Sequence, residues 1–190
     1  MAFESDWALI RAARPELQAY LLSNDLYWPL RLTARTPGSV QVPPLTIGNL
    51  ILSRARLSAL ALPDDRQAEL AEISRCITEI RGDWRSNWGR KAHREYAARL
   101  KLWQQYFHEM RSESHVHASV YANEVRQRVI LHLLVEEMLE APPQPEVDLL
   151  RGLDETLRSL LRPGPFVWEP EVERAFPRAV FWFLYGMVQK

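Results

Sequence analysis

Residues 64–111 read DDRQAELAEISRCITEIRGDWRSNWGRKAHREYAARLKLWQQYFHEMR, and the spacing of apolar side chains in this stretch decides the fold class. Leu70, Ile73, Ile77, Ile80 and Trp84 recur at intervals of 3, 4, 3 and 4, a helical seam of two heptads. Beyond it, Trp84, Trp88, Ala92, Tyr96, Leu100, Trp103, Phe107 and Met110 continue the apolar face at a drifted spacing. Gly82 and Gly89 fall where the phase changes, so a bend or break is expected near 82–90 rather than one straight rod. Pro63 followed by Asp64 and Asp65 marks the start: proline suits a first turn, and carboxylates complement the positive end of the helix dipole.

The same stretch is strongly basic. Between residues 81 and 103, Arg81, Arg85, Arg90, Lys91, Arg94, Arg99 and Lys101 stand against Asp83 and Glu95. Cations interleaved with Trp84, Trp88, Tyr96 and Trp103 would suit single-stranded nucleic acid if rings and charges shared one surface. Helical geometry separates them. At about 100° per residue the rings from Trp84 to Phe107 gather on one arc, while Arg90, Arg94 and Lys101 lie opposite. The expectation is an aromatic stripe turned into the core and a solvated basic face, with Arg90, Lys91, Arg94 and Lys101 the candidates for contacts to phosphate or an acidic partner. Arg81, Arg85 and Arg99 project into the aromatic arc, where each must escape along its stem, stack on a ring or meet a carboxylate.

Those carboxylates are expected on a second helix. Residues 129–139 read VILHLLVEEML, apolar on all sides, as befits a helix in the middle of a bundle. His132, Glu136 and Glu137 interrupt it, and His132 and Glu136 are i, i+4 neighbours on the face of Val125 and Val129. Buried ionisable groups need partners, so Arg85 and Arg99 are expected to pair with Glu136 and Glu137 where the two helices meet. The rival interpretation makes His132, Glu136 and Glu137 catalytic, as a general acid/base group or half of a metal site. No HExxH, paired ExxH or DxD motif supplies further ligands. His115-Val116-His117 has the H-x-H spacing of a loop metal site, while His93 and His108 are isolated. No cofactor is expected, and no GxSxG, P-loop or GxGxxG motif occurs.

Outward from this core the chain reads as helix and connection. Ser5 is a plausible N-cap for a helix over 5–24, broken at Pro15 and ended by Asn24-Asp25. The stretch TARTPGSVQVPP, residues 33–44, is a proline-rich loop or marginal hairpin, the one place where β-structure is expected. Helical spacing returns over 45–62. Ser112 to Ser119 is a polar connection, followed by helices over 117–140 and 145–161, and Arg162-Pro163-Gly164-Pro165 ends the latter. A last segment, 170–188, is expected to be helical and broken at Pro177. Its run AVFWFLYGMV, residues 179–188, is about half of what a bilayer-spanning helix needs, which makes it a core element.

Composition bounds the rest. The 190 residues carry 24 Lys plus Arg and 24 Asp plus Glu, so no net field draws in nucleic acid or anionic lipid. The balance is uneven: residues 1–128 hold 18 basic and 14 acidic side chains, residues 129–190 hold 6 and 10, which suits mutual packing of the two segments. The single cysteine, Cys76, can form neither an internal disulfide nor a cysteine-based zinc site, and the first residues show no apolar signal core, so cytoplasm is the expected compartment. The expected architecture is all-α, one domain over 1–190, a bundle of about six helices around an antiparallel hairpin of 64–111 and 117–140. The expected function is non-enzymatic, a protein-interaction or scaffold role with another protein or with itself, to which the seven tryptophans add weak support. A nucleic-acid-associated subunit using the basic face and a helical enzyme or small-ligand binder centred on His132 and Glu136 are the alternatives.

Overall fold

Pro15 removes a backbone donor from the middle of an amphipathic segment, yet the helix does not break there. In the computed structural model, which describes residues 3–30, 41–112 and 120–188, helix α1 (Glu4–Leu22) runs straight through it. Trp7, Ile10, Ala13, Leu17, Tyr20 and Leu21 are all buried on one face, on both sides of the proline. Pro15 itself is exposed, so the carbonyl that loses its partner can turn to water, and burial of the continuous apolar face outweighs the lost bond. Ser5 is not the N-cap; Phe3 precedes the helix without a side-chain cap bond.

Helix α2 (Ile47–Ser58) is shorter than the expected 45–62 because Thr46 caps it, its hydroxyl accepting from the Asn49 amide at 3.0 Å. Leu45 instead pairs with Trp28 in an isolated bridge, and the expected loop or hairpin at 33–44 lies mostly outside the described residues. Helix α3 (Asp64–Asp83) begins directly after Pro63 and stops at Trp84, whose backbone (φ −113°, ψ 34°) leaves the helical region, and α4 (Arg85–Ser112) follows the break. Helix α5 (Tyr121–Val135) is shorter than the expected 117–140, which leaves Glu136 and Glu137 just beyond its end. Helix α6 (Gln144–Leu160) follows, with Pro145 in its first turn.

The C-terminal segment corrects the sequence reading most. The expected helix over 170–188 is replaced by a 3-10 turn at Pro170–Ala175, a second at Trp182–Leu184, and strand β2 (Tyr185–Val188), antiparallel to β1 (Leu161–Phe166). Its run of aromatic and branched residues fits a pleated surface, and a proline-containing β1 provides an edge for it. Gly186 lies opposite Pro163, so close to the other strand that a Cβ would overlap the Arg162 carbonyl. The Tyr121 hydroxyl donates to the Phe183 carbonyl at 2.5 Å and the Trp168 indole to the Ala122 carbonyl at 2.7 Å, fastening this hairpin to α5.

The molecule is thus a mostly helical bundle with one small sheet. Helix α4 packs along α5, and α2 wedges between them and α1. Trp88, Tyr96, Trp103 and Phe107 are buried together, so the rings of α4 do turn inward. Helix α3 rests on α1 through Arg11–Glu69 at 2.6 Å and Arg14–Glu72 at 2.7 Å. Among the described residues no helix is long and apolar enough to cross a membrane.

Candidate ligand-binding cleft

The wedge position of α2 depends on a carboxylate from α4. Gly48 sits so close to α4 and α5 that a Cβ would overlap Ile130 and approach a Glu95 oxygen to 2.6 Å. The space is used by the Glu95 carboxylate, fully buried, which accepts from the Gly48 amide at 2.8 Å and from Arg99 Nε and Nη2 at 3.1 and 3.0 Å. One carboxylate therefore satisfies an orphan amide in the first turn of α2 and neutralises a buried guanidinium. Arg99 extends the network through Nη1 to Gln127 at 2.8 Å and Nη2 to Asn49 at 3.2 Å.

Beside this network lies a cleft of about 510 Å³ lined by Arg56 of α2, by Ala122, Asn123 and Arg126 of α5, and by Val167, Trp168 and Glu169 after β1. Arg56 is held tightly: Nε donates to Asp6 at 2.9 Å, Nη2 to Glu169 at 3.1 Å, and its carbon lies 5.4 Å from the Phe3 ring and 5.5 Å from Trp168. The other Asp6 oxygen accepts from the Ser53 hydroxyl at 2.6 Å. Arg126 is different. Its one direct bond is a 3.5 Å contact to Asn49 Oδ1, and among the described residues it has no ion-pair partner. Burial pushes its pKa down to about 10, Arg56 and Arg99 push the same way, and Asp6 and Glu169 oppose. A guanidinium offers five N–H donors, so among the described residues most of those on Arg126, which lines the cleft, have no partner. Glu169, also lining the cleft, has free acceptor capacity, since its one bond is to Arg56 and its side chain is 37% exposed.

The residues singled out by sequence are distributed otherwise. Arg99 does not meet Glu136 or Glu137, because Glu95, one turn away on its own helix, takes it. Arg85 is exposed and makes no ion pair among the described residues, so its expected pairing fails too; it lies on the rim of a cleft of about 330 Å³ shared with Arg81, Trp88, Glu136 and Glu137. Arg81 takes its place: its Nε reaches Glu137 at 3.0 Å, and the Trp88 indole donates to the same carboxylate at 2.8 Å. Glu136 is exposed just past the end of α5, so the second helix supplies one partnered carboxylate rather than two. His132 is half-buried with its ring edge-on to Phe181 at 4.8 Å, and burial lowers its pKa, Arg128 adding to the effect. Arg128 in turn is held by Asp154 through two bonds of 2.8 Å.

The basic outer face is real but lacks one member. Arg90, Arg94 and Lys101 are exposed, whereas Lys91 is buried, donating to the Ser23 hydroxyl at 3.2 Å and the Asp25 carbonyl with its ammonium 4.3 Å from the Tyr20 ring. It is a cation placed at the negative end of α1, where Asn87 also donates to the Leu21 carbonyl at 3.1 Å. His115 and His117 lie outside the described residues, among which no cluster of metal-ligating side chains is found.

The cleft residues were missed because each follows a pattern that reads as surface. Arg54-Ala55-Arg56 inside the apolar α2 and Arg126 beside the apolar Val125 are the only signals that cations turn inward, and Glu169 carries none. No protein-family model, no curated protein and no solved structure matches the chain.

Proposed function

We propose that this protein acts by binding, and that what it binds is a small molecule whose anionic group docks on Arg126. The observation that supports this is a guanidinium with unfilled donors, partly withdrawn from water, on the wall of a cleft large enough for a metabolite-sized ligand. Arg56, Arg99 and Arg128, by contrast, are each bonded to a carboxylate, and Arg54, which has none among the described residues, does not line this cleft. Carboxylate and phosphate share the chemistry that a guanidinium fork recognises. The test is calorimetric titration and thermal shift with short-chain carboxylates and with inorganic phosphate, on the wild-type chain and on Arg126→Met. Saturable binding of at least one anion-bearing compound, free amino acids included, that Arg126→Met abolishes is expected; if none binds the wild-type chain, or those that bind do so equally to both chains, the proposal fails.

A second reading has one observation behind it. Arg90, Arg94 and Lys101 form an exposed stripe on α4 with no ion pair among the described residues, and Arg90 and Arg94 flank a notch of about 210 Å³ at the end of α1. Phosphate contacts by this stripe would give nucleic-acid binding whose affinity falls steeply with salt, and affinity indifferent to salt would exclude it.

A further inference from the structure

The cleft presents two complementary charges, not one. Arg126 offers open donors, and Glu169, which lines the same cleft and lies within its electrostatic reach, offers an open acceptor. Around them the fixed charges cancel: Arg56, Arg126 and Arg99 against Asp6, Glu169 and the Glu95 that pairs with Arg99. A simple anion entering this floor would satisfy Arg126 but leave one negative charge in excess, beside a carboxylate that repels it. A dianionic phosphate would be worse placed still. A ligand carrying its own cation restores the balance, because an ammonium can take the free oxygen of Glu169 while the carboxylate takes Arg126.

The third feature is apolar. The Trp168 indole N–H is spent on the Ala122 carbonyl, so this side chain shows the cleft its ring rather than a donor, and Val167 adjoins it. Phe176 braces the ring edge-on at 5.3 Å and fixes that wall. We infer that the ligand is a zwitterionic α-amino acid with an apolar side chain, its carboxylate on Arg126, its ammonium on Glu169 and its side chain against Trp168. This inference rests on the anion reading above and narrows it to one chemical class.

The experiment separates the two. Leucine and phenylalanine, their N-acetyl derivatives and their amides are titrated into the full chain, with inorganic phosphate alongside. The free amino acids are expected to bind at least tenfold tighter than either blocked form. Glu169→Gln keeps an oxygen for Arg56 but removes the charge, so it should weaken the free amino acid and strengthen the N-acetyl form. Such opposite movement is not what a loss of packing produces, since that would weaken both. If the N-acetyl form or phosphate binds as tightly as the free amino acid, the zwitterion is wrong and the anion reading survives. If no compound binds, both fall.

Discussion

Arg126→Met is expected to make the protein more stable, and the expectation follows from what the arginine lacks. In the native state its pKa is about 10, burial being the first cause, against roughly 12.5 for a guanidinium in water. Keeping it charged in the fold at neutral pH therefore carries a penalty of about 3 kcal/mol at most. The side chain keeps partial contact with the cleft, and Asp6 and Glu169 lose some attraction when it goes, so the net gain is expected at about 1–2 kcal/mol. Methionine retains the unbranched stem and gives up only the charged head. For a chain of this size the melting temperature should rise by about 2–8 °C, read by differential scanning calorimetry and checked by urea unfolding with an unchanged slope. Sign is the decisive outcome. If Arg126→Met lowers stability by 1 kcal/mol or more, as loss of a satisfied structural arginine would, then the guanidinium is not held at a cost and the case for a waiting ligand fails with it.

Three further outcomes are expected. Gly48→Ala should destabilise by about 1–3 kcal/mol despite alanine's better helix propensity, because its methyl has no space beside Ile130 and Glu95; a stabilised variant in urea unfolding would show that α2 can move away. Glu95→Ala should cost about 3–5 kcal/mol, since it strands the Arg99 charge and the Gly48 amide together, and a loss below 1 kcal/mol would mean that water reaches both. Lys91 is pushed from 10.5 to about 8, burial first and Arg94 second, so between those values the unfolded chain binds more protons and the Lys91 contribution to stability rises with pH. The stability difference between wild type and Lys91→Met, followed by denaturant unfolding across that interval, should shift in favour of the wild type as pH increases; a flat difference would contradict it.

The helical class was legible because the apolar spacing from Leu70 to Met110 leaves little choice, and the break at Trp84 lies where the phase drifts. Local rules failed where tertiary burial overrode them. Pro15 reads as a boundary in isolation, but a continuous buried face on both sides of it keeps α1 whole. The run from Ala179 to Val188 has the composition of a buried helix or a buried strand, and only the presence of β1, which precedes it and contains Pro163 and Pro165, decides between them. Wheel geometry correctly separated rings from most cations on α4, but it could not tell Lys91 from Arg90, since which of two neighbours meets the end of α1 depends on where α1 ends. Nor could it choose Glu95 over Glu136 as the partner of Arg99, although the i, i+4 spacing of Glu95 and Arg99 was available to be read.

The wall made by Val167, Trp168 and Glu169 belongs to the chain's last thirty residues, while Arg56 and Arg126 belong to the bundle. A molecule lodged between them would act as a rivet across that seam, joined to both sides at once. Peeling the terminal hairpin away would then require expelling the occupant first, so supply of the small molecule would govern how long the tail survives a protease.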